Sequence, residues 1–166
     1  MKKQSVKQKI SGLLAVLILI LADRLTKVLA VTYLKDHDAI VLIPGVFELR
    51  YLENTGMAFG LLQGKMWIFY IVTAVIVLIC LFYYFRIPAG RHFLPLQYTL
   101  VLLISGAFGN LIDRLMQQYV VDFLYFSLID FPIFNVADIY VTCAAVLLFV
   151  LILFFYSDED LKEISS

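Results

Sequence analysis

The chain contains 166 residues, which is enough for one domain and too few for two large ones. Hydrophobic residues make up 63% of it and charged residues 16%, whereas soluble domains have about 45–50% and about 25%, so a soluble globular protein is excluded. The formal net charge is zero, so no global electric field attracts nucleic acid, and we expect no nucleic-acid partner.

Four apolar stretches approach the roughly 20 residues that an α-helix needs to cross a bilayer. They cover about residues 10–34, 66–85, 93–112 and 136–156. In lipid each stretch must be helical, because every backbone amide needs an internal hydrogen-bond partner. The sequence therefore predicts one all-α integral membrane domain, residues 1–166, with four transmembrane helices.

The first stretch follows a basic N-terminal segment and resembles a cleavable secretory signal. Asp23, Arg24 and Lys27 interrupt it, and three further spans follow, so we interpret it as a retained helix. Asp23 and Lys27 are four residues apart and can form an ion pair, which either only fixes the helix end or belongs to a functional site. Four spans place both termini on one side, and the lysine-rich start predicts that this side is the cytoplasm.

The connection between the first two spans is predicted to lie outside the cytoplasm and to hold a small β element over about residues 40–62. Ile40–Ile43 and Val46–Tyr51 are predicted to be short strands separated by the turn pair Pro44-Gly45. In the motif "NTGMAFG", Asn54 and Gly56 suit a tight turn. The apolar residues 57–59 of this motif predict a loop that lies against the membrane or a substrate.

Near the end of the third span another helix can approach closely, because four residues are small: Ser105, Gly106, Ala107 and Gly109. Asn110, Asp113 and Arg114 follow at i, i+3 and i+4, so they project from one side of the helix. Either Asp113 and Arg114 simply mark the water interface, or the three residues belong to a polar network. We favour the network, because Asn110 lies deeper in the span and needs a hydrogen-bond partner.

The apolar segment "VVDFLYFSLIDFPIFNVAD", residues 120–138, carries three carboxylates. Asn135 is a predicted cap of the fourth helix, and Asp138 lies in its first turn. If the segment folds back, Asp122 and Asp138 could face one another and activate a water molecule. Alternatively, Asp122 is an ordinary interfacial acid, and Asp138 is an acid favoured by the helix dipole.

The remaining polar and sulfur-containing residues predict no further chemistry. The last ten residues are expected to form a solvated acidic tail, with Asp158, Glu159, Asp160 and Glu163. Cys80 and Cys143 lie in apolar runs and are predicted to be buried small hydrophobic residues. The sequence shows no disulfide framework and no metal-ligand spacing, so we expect neither a metal nor a cofactor.

Five motifs occur in one order between Asp23 and Asp138, over most of the chain: "DRLTK", "NTGMAFG", "GNLIDR", "VVDF" and "FNVAD". Together they resemble the lipoprotein signal peptidase family, the type II signal peptidases of bacteria. Met57 departs from the family pattern, which more often has alanine there.

The resemblance implies a four-span aspartyl protease whose catalytic pair is Asp122 and Asp138. It implies that the pair is surrounded or supported by Asn54, Gly56, Asn110, Asp113, Arg114, Asn135, Asp23 and Lys27. The implied substrate is a prolipoprotein with a diacylglyceryl-modified cysteine, cut just before that cysteine. We expect a monomer that contacts phospholipids in the bacterial cytoplasmic (inner) membrane, with its active site near the outer leaflet.

Two other classes of function stay open at this point. Carboxylates within a membrane also suit a small proton-coupled transporter, although transporter sites usually lie near the midplane and often accompany internal repeats. A non-catalytic assembly subunit would be indifferent to the loss of Asp122 or Asp138. Release of peptide from a lipidated substrate would indicate the protease, and proton-driven flux would indicate the transporter. Neither result would indicate the assembly subunit.

Overall fold

The computed structural model describes residues 6–56 and 66–165. The α-helices and β-strands within these ranges are, in chain order, α1 (Val6–Leu34), β1 (Ile40–Ile43), β2 (Phe47–Asn54), α2 (Met66–Arg86), α3 (Leu94–Gln117), β3 (Val120–Tyr125), α4 (Val136–Val150) and α5 (Asp158–Ser165). A π-helical turn, Leu151–Phe155, extends α4. The predictions for residues 57–62, including the end of "NTGMAFG", lie outside the described residues.

Three helical segments of the described chain are long and apolar enough to cross a membrane: Trp67–Arg86, Arg91–Gln117 and Val136–Phe155. They coincide with the second, third and fourth predicted spans. Helix α1 has 29 residues, which at about 1.5 Å per residue is also sufficient length. Its second half carries Asp23, Arg24 and Lys27, and it is not among the three.

Helix α3 is the centre of the bundle, because α1, α2 and α4 all pack against it. The predicted small residues allow this close packing. A Cβ atom on Gly106 would lie 2.5 Å from the carbonyl oxygen of Ala137 in α4, and one on Gly109 would lie 2.6 Å from Asp23 Oδ2 in α1. A larger side chain at either position would therefore push α1 or α4 away from α3.

An antiparallel sheet in the order β1-β2-β3 covers one end of the bundle. The sequence predicted β1 and β2, but it did not predict that β3 joins them. In β3, Val121 and Phe123 are buried against Ala30 and Leu34 at the end of α1. This packing fixes β3, and with it Asp122, between the sheet and the helices.

Helix α5 lies at the opposite end of the bundle and corrects the prediction of a solvated acidic tail. Its Ile164 is buried in the main apolar cluster, and Leu161 packs against that cluster. The carboxylate of Asp160 accepts hydrogen bonds from the backbone N–H and hydroxyl of Ser157, and it lies 3.2 Å from Nε2 of His92. Apolar residues spaced at i and i+3 thus gave this acidic segment one face that could be buried.

Candidate active site

The start of α4 is fixed by side chains that satisfy its free backbone N–H groups. Asn135 caps the helix: its Oδ1 accepts from the N–H of Asp138 at 3.1 Å, and Asp138 Oδ2 accepts from the N–H of Asn135 at 3.1 Å. The N–H of Ala137 donates to Asp23 Oδ1 of α1 at 2.9 Å. This reciprocal capping confirms the predicted cap and holds the carboxylate of Asp138 in one orientation.

The same asparagine connects Asp138 with Asp122. Nδ2 of Asn135 donates to Asp122 Oδ1 at 2.6 Å, while Nδ2 of Asn54 donates to Asp122 Oδ2 at 2.8 Å. Nδ2 of Asn110 donates to Asp138 Oδ1 at 2.8 Å. Asparagines from β2, α3 and the start of α4 therefore position both carboxylates.

A cluster of buried charges lies behind these asparagines. Nζ of Lys27 lies 2.8 Å from Asp23 Oδ2 and 2.8 Å from Asp113 Oδ2, and it donates to Asn110 Oδ1 at 2.9 Å. The guanidinium of Arg24 also pairs with Asp113. Two cations and two carboxylates thus neutralise one another, and burying them requires this mutual pairing.

Arg114 reaches the site from the end of α3. Its guanidinium lies 4.4 Å from the ring centroid of Phe69, and one nitrogen donates to the backbone oxygen of Asn110 at 3.3 Å. The hydroxyl of Tyr70 donates to the backbone oxygen of Arg114 at 3.1 Å. Within the described residues, the buried Nε of Arg114 has no hydrogen-bond partner.

A cavity of about 560 Å³ contains both acids. Its polar lining comes from Asn54, Gly56, Arg114, Asp122, Asp138 and Thr142, and its apolar walls come from Phe69, the segment 131–134, Ile139 and Cys143. Asp122 is only 2% exposed, and Asp138 is half-buried. An apolar cavity with two carboxylates and one guanidinium can bind a largely apolar molecule and hold a polar bond near the acids.

The environment of Asp122 changes its proton affinity. Burial raises the pKa of Asp122 to about 7, and the nearby charge of Asp138 contributes to this rise. Hydrogen bonds from Asn54 and Asn135 oppose it by stabilising the carboxylate. A carboxyl group with a pKa near neutrality can both hold and release a proton at ordinary pH, as acid–base chemistry requires.

The structure brings the ten predicted site residues into one connected region. Five of them line the cavity: Asn54, Gly56, Arg114, Asp122 and Asp138. The other five form the hydrogen-bonded and charged layer behind it: Asn110, Asn135, Asp113, Asp23 and Lys27. The polar network predicted around Asn110, and the Asp23–Lys27 pair, are both present.

Other residues of the site were not predicted. Arg24, Phe69 and Tyr70 have partners on other helices, and no spacing along the chain indicates such contacts. Cys143 was predicted to be buried, but it is exposed and lines the cavity. In a membrane segment, an apolar neighbourhood in the sequence does not distinguish a residue that faces a cavity from one in the protein core.

Sequence comparisons relate almost the whole chain to known proteins. The family model for "Signal peptidase (SPase) II" matches residues 15–154. The lipoprotein signal peptidase of Symbiobacterium thermophilum is 44% identical over 135 residues, covering 80% of this chain and 88% of that protein. The lipoprotein signal peptidase of Clostridium tetani is 40% identical over 149 residues, covering 88% of this chain and 94% of that protein.

Two solved structures described as bacterial membrane enzymes share the fold. They superpose with TM-scores of 0.80 and 0.79, at 32% and 31% sequence identity. The superpositions cover 92% and 93% of this chain, and 92% and 98% of the two solved chains. The helices and the sheet that carry the candidate site are therefore part of an architecture found in membrane enzymes.

Proposed function

Because this chain belongs to the signal peptidase II family, and hence to the peptidases that process lipoprotein signal peptides, we propose that it is an aspartic endopeptidase. Its substrates are prolipoproteins with a diacylglyceryl-modified cysteine, and it cuts just before that cysteine. The observation that carries this proposal is the pair Asp122 and Asp138, which share one cavity and are linked through Asn135.

Two carboxylates can hydrolyse a peptide bond when they share one proton. Like charges in a buried site cannot both ionise cheaply, and the pKa of about 7 at Asp122 keeps a proton on the pair near neutral pH. The ionised carboxylate takes a proton from water as the water attacks the scissile carbonyl. The protonated carboxyl donates a hydrogen bond to the carbonyl oxygen, and a proton later passes to the leaving amine. The proton belongs to the pair rather than to either residue.

The surrounding residues position this pair and the substrate. Asn54 and Asn135 fix Asp122, while Asn110 and Asn135 fix Asp138. Arg114 lines the same cavity, and we assign its guanidinium to a substrate carbonyl or a lipid headgroup. Since one chain supplies all of these residues, the enzyme works as a monomer surrounded by phospholipid.

Helix α1 acts as the fourth transmembrane span in this proposal. The charged residues of its second half are used inside the protein, because Asp23 and Lys27 are almost fully buried and Arg24 pairs with Asp113. Its outer surface is apolar: Leu17, Leu21 and Leu25 are each more than half exposed. Water would disfavour such a surface, whereas lipid tails accept it.

Four spans place both termini in the cytoplasm, according to the basic N-terminal segment. The sheet and the acids then lie near the outer leaflet of the bacterial inner membrane. This position suits a substrate whose signal helix and lipid anchor both lie in the bilayer, while water reaches the acids from the outer side.

Purified protein in detergent tests the function directly. With a diacylglyceryl-modified prolipoprotein we expect release of the intact signal peptide, with the cut just before the modified cysteine. The unmodified prolipoprotein is the control and should be cleaved far more slowly. Proton-driven flux in vesicles without any cleavage would support a transporter and contradict the proposal.

A further inference from the structure

The part of the bundle far from the candidate site contains a second apolar cavity. Helices α2 and α4 both pack against α3 but make little contact with each other, which leaves a furrow with α3 as its floor. Near its far end this furrow holds a cavity of about 440 Å³. Across it, Ile76 and Ile79 of α2 face Leu148 of α4 and Ile152 of its π-helical extension. Leu161 of α5 closes its end.

The second cavity and the candidate site are both lined by residues of α2 and α4, with the second cavity further along the two helices. On α2, spacings of three and four residues connect Phe69, which lines the site, to Ile76 and Tyr83, which line the second cavity. Residues at such spacings share one face of a helix. On α4, Asp138 and Thr142 line the site, and Leu148 of α4 and Ile152 of its π-helical extension line the second cavity further along the chain. We call the space between α2 and α4, from the first cavity to the second, the α2–α4 groove.

The length of the groove matches one kind of membrane-embedded ligand. From Asp138 to Tyr156 the groove follows α4 and its π-helical extension for 18 residues, or at most about 27 Å. The apolar core of a secretory signal is 7–15 residues long, which as a helix spans about 10–22 Å. The remaining length accommodates the few residues between that core and the bond at the acids.

The charge at the closed end of the groove fits the same ligand. Helix α5 carries four acidic side chains and one lysine. Asp158 and Glu159 are exposed, and Asp158 lies one turn before Leu161, which closes the groove. Secretory signals begin with a positively charged segment before their apolar core, so their basic residues would meet this acidic surface.

We propose that the α2–α4 groove binds the signal helix of the substrate, with its basic start against Asp158 and Glu159 of α5. This inference rests on the proposed function, and it identifies the part of the chain that recognises the leaving signal peptide.

A photoreactive amino acid placed at Ile76 or at Leu78 tests the location of the signal helix. Leu78 follows Ile76 by about 200° around the helix; it is 65% exposed and outside the groove. With a diacylglyceryl-modified prolipoprotein in nanodiscs, the probe at Ile76 should crosslink to the apolar core of the signal, and the probe at Leu78 should not. Equal crosslinking at both positions, or only phospholipid adducts at Ile76, would overturn the proposal.

Steady-state kinetics give a second readout. Ile76→Trp should raise KM about tenfold with kcat nearly unchanged, because the larger side chain fills the groove, while Leu78→Trp should match the wild type. Reversing the charge with Asp158→Lys and Glu159→Lys should raise KM about threefold for a lysine-rich signal and leave a neutral signal unaffected. If both tryptophan variants cleave like the wild type, the groove is refuted while the peptidase stands. If the wild type cleaves nothing, the proposed function itself fails.

Discussion

Replacing Asp122 with asparagine is predicted to change the stability of the protein in opposite directions at low and high pH. Burial and the charge of Asp138 raise the pKa of Asp122 to about 7 in the folded protein, whereas an aspartate in an unfolded chain titrates near about 4. Between these values the folded state binds more protons than the unfolded state. The free energy of unfolding of the wild type therefore falls as the pH rises through this window. An asparagine does not titrate, so Asp122→Asn removes this dependence.

The size of the effect follows from the pKa difference and the hydrogen bonds of the carboxylate. A difference of about three pKa units corresponds to about 4 kcal/mol of stability that the wild type loses between acid and neutral pH. Both oxygens of Asp122 accept from amide groups, those of Asn54 and Asn135. The new amide would set one donor against another, at a cost of about 1–3 kcal/mol. The variant should therefore be less stable than the wild type near pH ~4 and about 1–3 kcal/mol more stable near pH ~8.

Thermal unfolding in detergent, followed by near-ultraviolet circular dichroism across this pH range, measures the crossover. Asp130→Asn is the matched control, because Asp130 is exposed and its left-handed backbone, with φ of 48°, is one that asparagine adopts readily. The control should keep the pH dependence of the wild type. If Asp122→Asn also follows the wild type in parallel at every pH, the protonated carboxyl on which the mechanism depends is absent.

Three further substitutions test the layer behind the acids and the guanidinium beside them. Lys27→Met should lower the free energy of unfolding by about 3–5 kcal/mol, since two buried carboxylates lose their shared cation. The control Lys35→Met, at an exposed ion pair, should leave the melting temperature nearly unchanged. Similar melting temperatures for both variants would refute the pairing of Lys27 with the two carboxylates. Gly109→Ala should destabilise by about 1–3 kcal/mol because its Cβ would meet the side chain of Asp23, and an unchanged unfolding curve would contradict this packing. Arg114→Lys keeps the charge but loses the contact with the neighbouring ring, and it should raise KM in the cleavage assay; unchanged kinetics would remove Arg114 from substrate binding.

The sequence predicted those features of the fold that depend on local patterns. Long apolar runs located the helices that cross the membrane, and Asn135 identified the cap of α4. Strand β3 was missed because Val120–Tyr125 is apolar apart from Asp122 and lacks the alternation of a half-buried strand. Helix α5 was missed because four acidic residues masked its two apolar contacts, Leu161 and Ile164.

The candidate site could be predicted only in part, because some of its contacts join residues that are far apart in the sequence. Asn110, Asp113 and Arg114 share one helix face, so their spacing along the chain revealed a polar cluster. The contacts of Asp122 with Asn54 and Asn135 join residues 68 and 13 positions apart, and only the folded sheet and the start of α4 bring them together. Spacing alone therefore left the pairing of Asp122 with Asp138 as one of two alternatives.

Cleavage of a diacylglyceryl-modified prolipoprotein by Asp122→Asn and Asp138→Asn is the most direct test of the two-carboxylate mechanism. Each substitution keeps the size of the side chain but removes its acid–base function. We expect both purified variants to insert into the membrane normally and to lose cleavage, while Asp130→Asn cleaves like the wild type. Substantial cleavage by either variant would show that the corresponding carboxylate does not activate the water or protonate the leaving amine.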